Sequence, residues 1–187
     1  KRDWSSDVCS SDLNTLLKIA EIVTTAGTQV RAKLDTDTVD EYANAMLDGA
    51  VFPPVVVFHD GNRYILADGF HRIMAAQRNS FKDFECDVRK GAKPDALKFA
   101  LAANSAHGLK RSPADKRRSV ELALAEWPKL SDREIARICA VSHHTVGDVR
   151  GQLGEMPSSN ERIGADGKTR TVKPKPAQEV RAAAQTT

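Results

Sequence analysis

Residues 53–72 read Pro-Pro-Val-Val-Val-Phe-His-Asp-Gly-Asn-Arg-Tyr-Ile-Leu-Ala-Asp-Gly-Phe-His-Arg, and three kinds of local structure follow from them in order. Val55-Val56-Val57-Phe58, behind two prolines, is an apolar and largely β-branched run suited to a buried strand. His59-Asp60-Gly61-Asn62 is a hairpin turn, and Arg63-Tyr64-Ile65-Leu66-Ala67 returns as the partner strand. Asp68-Gly69-Phe70-His71-Arg72 then turns into the helix-like Ile73-Met74-Ala75-Ala76-Gln77. A strand-to-helix turn with glycine at its tight point aims backbone N–H groups outward, and Arg72 and His71 would complete an anion pocket suited to phosphate. A plainer reading stands beside it, in which Arg72 pairs with Asp68 and the turn is only structural.

On the amino-terminal side, Ala20-Glu21-Ile22-Val23 and Gln29-Val30-Arg31-Ala32-Lys33 read as short strands around Gly27. Asp35-Thr36-Asp37 opens a helix whose Val39, Tyr42, Ala43 and Met46-Leu47 share one face, and Gly49 stops it. On the carboxyl-terminal side, 81–88 reads as another strand and 95–106 as an Ala-rich helix ending at Gly108. Strands alternating with helices predict an α/β (α+β) unit over residues 14–108. The string 3–13, Asp-Trp-Ser-Ser-Asp-Val-Cys-Ser-Ser-Asp-Leu, lacks apolar periodicity and looks like the in-frame translation of a sequencing-library adapter. Residues 1–13 are therefore expected to be an assembly artefact, which removes Trp4 and Cys9 from functional argument and leaves the true amino terminus open.

Beyond 108 the pattern becomes helical. Ser112-Pro113-Ala114-Asp115 carries a capping Ser, a Pro at the first helical position and an acid three residues after the cap, and Pro128 ends the helix it starts. Ser131-Asp132-Arg133-Glu134 is a capping box for a short helix with Ile135, Ala136, Ile138 and Cys139 inward. After the turn at Ala140-Val141, Ser142 caps another helix, with Val146 and Val149 facing back. Small Ala136 and space-filling Val146 suit two helices crossing steeply, which predicts an all-α helix-turn-helix domain over 109–153. Ala140 stands where such turns usually hold glycine and must accept either a less comfortable backbone angle or a different turn. The outward residues Ser142, His143, His144, Thr145, Asp148 and Arg150 are of the kind that reach base edges, although a helical hairpin used purely for packing has the same pattern. Residues 154–187, rich in Pro, Gly, Ser, Lys and Thr, read as a disordered basic tail.

Composition narrows the function classes. The chain has 187 residues, 41% hydrophobic and 28% charged, with 5% aromatic residues and a net charge of +3, an ordinary composition for one or two small globular domains. No apolar run approaches the length of a membrane span. Three scattered cysteines suit neither a disulfide scaffold nor a zinc site, so no metal ligands are expected and Cys86 and Cys139 read as buried small hydrophobes. This points to a reducing cytoplasm. Residues 1–109 hold 13 Lys and Arg against 15 Asp and Glu, whereas residues 110–153 hold nine against six, so a polyanion would meet the second half. Lys110, Arg111, Lys116, Arg117 and Arg118 are the candidate phosphate contacts there. A stripe of this kind is also what a merely solvated helix face looks like.

Taken in order, Gln29-Val30-Arg31, Val55-Val56-Val57, Gly69-Phe70-His71-Arg72, Asn104 and the helix-turn-helix resemble the ParB/sulfiredoxin superfamily, most closely ParB-like proteins with an N-terminal ParB domain and a following helix-turn-helix. The resemblance covers roughly residues 20–153. It implies double-stranded DNA as partner, CTP with Mg²⁺ as ligand, a homodimer, and a role in transcription regulation or in plasmid or chromosome partition. It further implies that Gly69, Phe70, His71 and Arg72 occupy the motif that binds the CTP triphosphate. The second nucleotide motif, of the Glu-Asn-x-x-Arg type, reads Ala103-Asn104-Ser105-Ala106-His107 here. Asn104 is kept, His107 replaces the Arg, and Ala103 replaces the acid, so little or no CTP hydrolysis and no catalytic residue are expected. Phe70 stands where sulfiredoxin has its nucleophilic Cys, which removes reductase chemistry. The alternative class is an enzyme of the same superfamily, a CTP hydrolase or nuclease, and a protein-interaction module without DNA is a third. The tail lacks the usual ParB dimerisation domain, which weighs for regulation over partition.

Overall fold

The computed structural model describes residues 14–106, 111–153, 161–164 and 166–171, with the side chains of 104–106 left out. The adapter-like segment, His107, Lys110 and most of the tail lie outside the described residues. Strands β3 (Val55–His59) and β4 (Tyr64–Asp68) form the antiparallel hairpin at the centre of a five-stranded sheet. At its turn, Asp60 accepts the N–H groups of Asn62 and Arg63, both at 2.9 Å. Those bonds, with the Arg63 guanidinium, hold the Asp60 carboxyl down to about 2. β5 (Asp83–Lys90) runs parallel to β3, β1 (Asn14–Lys18) antiparallel to β5, and the two-residue β2 (Ile22–Val23) parallel to β4, giving the order β1-β5-β3-β4-β2.

Both faces of the sheet are covered, which is why its central strands are nearly continuous apolar runs. Helices α1 (Thr36–Leu47) and α2 (Phe70–Arg78) bury Val39, Ala43, Met46, Ile73 and Ala76 with Val55, Val57, Leu66 and Cys86. On a second core, Phe58, Ile65 and Ala67 pack with Ala96 and Phe99 of α3 (Lys93–Ala106). The remaining helices are α4 (Pro113–Glu126), α5 (Asp132–Cys139) and α6 (His143–Leu153). Their core takes in Leu97, Ala100 and Leu101 of α3 and Val30 of the irregular segment ahead of α1. The capping Ser112–Asp115 box forms as read, and the Ser131 side chain accepts the Glu134 N–H.

Three expectations are corrected. Residues 20–21 belong to a 3₁₀ turn and 29–33 to no strand; the first strand is instead Asn14–Lys18. Segment 29–33 is held by groups remote in sequence, not by a neighbouring strand. The tail is not uniformly disordered: β6 (Glu161–Ile163) and β7 (Thr169–Thr171) form an antiparallel hairpin. Its turn signals, Gly164, Asp166 and Gly167, are present in the sequence, but its strands are polar and three residues long. Cys86 and Cys139 are buried as expected, and burial raises their thiols to about 11 and about 12.

Candidate functional site

At the end of β4 the chain must reverse into α2 close against β3. Gly69 does this at φ +96°, and a Cβ there would lie 2.4 Å from Val55 Cγ1 and 3.0 Å from Arg72 Nη2. Only glycine satisfies both the left-handed backbone and the close approach. Among the described residues no side chain caps α2, and no acid lies in its first turn, so the helix end keeps backbone donors that no side chain takes up and a positive potential.

Arg72 is committed elsewhere. Its Nη1 donates to the carbonyls of Pro53 and Pro54 at 2.6 and 2.8 Å, and Nη2 to Asp68 at 2.8 Å. With 13% of its side chain exposed, it supports the approach to β3. His71 sits half-buried beside Asp35, whose N–H donates to its Nε2 at 3.3 Å. Burial first and the Arg31 charge second hold His71 below the usual histidine range, while Asp35 and Asp68 pull the other way. Phe70 packs on the core of the sheet. Asn104 lies on the last turn of α3, and its side chain, like His107, is outside the described residues.

Segment 28–35 joins this turn to the helical unit. Thr28 Oγ1 donates to the Leu66 carbonyl at 2.5 Å. On the opposite side, Arg118 Nε donates to the Gln29 carbonyl at 3.2 Å, and the Ala32 N–H to Asp115 Oδ1 at 2.8 Å. Asp115 Oδ2 accepts the Ser112 N–H at 2.9 Å and lies 4.0 Å from Arg31 Nη1. Burial raises the Asp115 carboxyl, but these donors and Arg31 outweigh it and leave the group below its ordinary value.

In the helical unit, Ala140 ends α5 at φ +48°. Arg111 makes the strained turn tenable by donating to the carbonyls of Cys139 and Ala140 at 2.8 and 3.1 Å. Ser142 then caps α6 by accepting the Thr145 N–H at 3.1 Å, and its hydroxyl lies 2.9 Å from that of Thr145. Ser142, His143, His144 and Asp148 are exposed, Thr145 is half-buried, and the two imidazole centroids are 4.1 Å apart. Beside them lies an open groove of about 480 Å³, lined among others by Arg133, Arg137, Ser142 and His143.

Several cations named from sequence are occupied differently. Arg150 does not face outward: it donates to Asp132 at 2.9 Å and to the carbonyls of Pro128 and Leu130 at 3.0 Å each, with 12% of its side chain exposed. Arg111 and Arg118 likewise bind carbonyls, and Arg117 bridges Glu121 and Gln152. Lys116 remains exposed. Sequence reasoning missed Arg133 and Arg137, both exposed and one helical turn apart on α5, although their i, i+4 spacing opposite Ile135 and Ile138 marks an outward face. Arg137 pairs with Glu134 at 2.5 Å but keeps 67% of its side chain exposed. Among the described residues, no three His, Cys, Asp or Glu side chains gather as a metal site, and no helix is long and apolar enough to cross a membrane.

The family described as ParB N-terminal domain matches residues 6–105. A curated protein of Streptomyces griseus, "Streptomycin biosynthesis operon possible regulatory protein", is 32% identical over 139 residues, 74% of this chain. The chain spans only 39% of that relative's length. Among solved structures, sulfiredoxin from Arabidopsis thaliana is 22% identical with a TM-score of 0.40, covering 46% of this chain and 96% of that one. The C-terminally truncated chromosome-partitioning protein ParB from Caulobacter crescentus, complexed with CTP-gamma-S, is 16% identical with a TM-score of 0.45, covering 78% of this chain and 81% of that one. The same protein complexed to the centromeric parS site is 17% identical with a TM-score of 0.47, covering 76% and 73%.

Proposed function

This chain belongs to the ParB N-terminal domain family, and on that premise we propose that it is a DNA-binding regulatory protein whose α4–α6 unit reads duplex DNA as a helix-turn-helix. The observation that carries the reading is the capped, exposed first turn of α6, with Ser142, His143, His144 and Thr145 beside the groove of Arg133 and Arg137. Short polar side chains at a helix N-terminus suit base edges in a major groove, and flanking arginines suit phosphates. Arg133 joins Lys116 among the candidate backbone contacts, Arg111 and Arg118 leave that set because they bind carbonyls, and Arg150 leaves the base-reading face. The regulatory relative from Streptomyces griseus supports regulation over partition.

The glycine turn is the seat of a nucleotide in this reading. The uncapped N–H groups of α2, with Arg31 and His71 nearby, form a donor set that fits a phosphate group. CTP carrying Mg²⁺ would supply that group together with a base to be recognised. Hydrolysis is not part of the reading, because Ala103 brings no carboxylate to the second motif. A bound polyphosphate would favour protonated His71, so affinity rises as pH falls from 7.5 toward 6.

The test is a mobility shift on duplexes selected from a random pool, with and without CTP and Mg²⁺. The triple substitution His143→Ala, His144→Ala, Thr145→Ala is expected to remove discrimination between sites and to leave the melting temperature unchanged. Each good base contact is worth ~1–3 kcal/mol. Full sequence preference in that variant would overturn the recognition assignment.

A further inference from the structure

The hairpin β6–β7 follows on α6 in the chain and is built into the helical unit. The Ile163 N–H donates to the Lys129 carbonyl at 2.8 Å, and the Ser131 N–H donates to the Ile163 carbonyl at 2.9 Å, so Ile163 forms a parallel bridge with Leu130. Arg150, from α6, holds the same connector through Pro128, Leu130 and Asp132. The hairpin and the Arg150 end of α6 are thus both tied to the same connector.

The hairpin has two unlike strands. β6 makes the attachment with half-buried Ile163, whereas Lys168, Thr169, Arg170 and Thr171 along β7 are all exposed and belong to no apolar core. A three-residue strand contributes little stability by itself, yet the turn is carefully specified. Gly164 and Lys168 pair through backbone at 3.0 Å, Gly167 stands at φ +71°, and Asp166 accepts the Lys168 N–H at 3.2 Å. The exposed strand carries Lys, Arg and Thr, the residue types that donate to phosphate oxygens. The counter-charge Asp166 receives two hydrogen bonds from Arg170 at 3.0 and 2.6 Å, but both side chains are largely in water, at 60% exposure for Arg170 and 43% for Asp166. Such a pair is weak, and a phosphodiester can share or take its guanidinium.

We infer that β7 is a second DNA contact, laid along the phosphate backbone of the duplex beside the stretch that α6 reads. This inference rests on the DNA-binding reading above. It gives the protein a sequence-independent grip through Lys168 and Arg170, separate from the sequence-dependent one at α6.

The experiment measures affinity against salt for the full chain, on the duplex selected by the wild-type protein and on an unrelated one. Because each neutralised phosphate adds about 0.9 to the log–log slope, the double substitution Lys168→Ala, Arg170→Ala is expected to flatten that slope by roughly one to two. It should weaken both duplexes alike. Asp166→Asn, which keeps the turn acceptor and removes the competing charge, is expected to tighten both. The α6 triple variant should show the opposite pattern, with discrimination abolished and the slope kept. An unchanged slope in the double variant, with no gain from Asp166→Asn, would overturn the β7 contact and leave the α6 reading standing. Failure of the wild-type chain to bind any duplex would overturn both.

Discussion

The turn at Gly69 and the turn at Ala140–Ser142 each start a helix, but they are built on opposite plans. The first is crowded: no Cβ fits at Gly69 against Val55, and Arg72 is folded under the turn. Its helix has no side-chain cap, so what it presents is backbone. The second is open: Ala140 occupies the left-handed region, Arg111 ties its carbonyl, and Ser142 uses its hydroxyl on the new helix. What it shows is side chains, His143 and His144. Backbone donors suit a phosphate, which looks alike on every nucleotide, and side chains suit the base edges that differ.

The sharpest way to break this contrast is Gly69→Ala. The left-handed backbone costs about 1–2 kcal/mol for a residue with a Cβ, and forcing a methyl against Val55 adds about 1–3 kcal/mol. A destabilisation of about 2–5 kcal/mol is expected in denaturant unfolding from these two terms together. A value below about 1 kcal/mol, the lower bound of either term alone, would mean that the turn is not as crowded as described. Next comes Arg150→Ala, which leaves two carbonyls and Asp132 without their donor and should cost about 2 kcal/mol. Arg133→Ala, at an exposed position on α5, should change stability by less than about 0.5 kcal/mol while weakening DNA binding. Equal destabilisation in the two variants would erase the distinction between supporting and displayed arginines.

A smaller effect is expected from pH. His71 is held below its unfolded value near 6.5, so the unfolded chain takes the proton first. Stability is therefore full above that value and falls as pH drops through about 6.5. His71→Gln should flatten this dependence, measured by urea unfolding between pH 7.5 and 5.5. The smallest expected change is a gain. Ala140→Gly relieves the φ +48° backbone but loosens the unfolded chain by about 0.4–1 kcal/mol, which leaves a net stabilisation of a few tenths of a kcal/mol. A destabilisation of about 1 kcal/mol, the whole of that unfolded-chain effect, would show that Ala140 is not strained.

Much of this was legible along the chain because its signals are local. Ser112, Ser131 and Ser142 announce their helices, Asp60-Gly61 announces the hairpin, and the departure at Ala140 announces its strained angle. The fate of the arginines was not legible. Arg72, Arg111, Arg118 and Arg150 bind main-chain carbonyls between 18 and 89 residues distant, and a carbonyl carries no residue-type signature. Segment 29–33 misread because its partners are remote main-chain and side-chain groups, Leu66 and Arg118 at its start and Asp115 toward its end. β7 escaped notice because a strand that serves solvent rather than a core has no apolar alternation to betray it.

Helix α3 turns Ala96 and Phe99 toward the sheet and Leu97, Ala100 and Leu101 toward α4–α6. It is therefore a shared wall, and the protein is not modular at residue 109. A recombination that joined 14–108 to a foreign reader would uncover three apolar side chains and Val30 at the seam. On the DNA-binding reading proposed above, specificity would change by substitution on the α6 face, inside an intact body, and not by swapping the helical unit as a cassette.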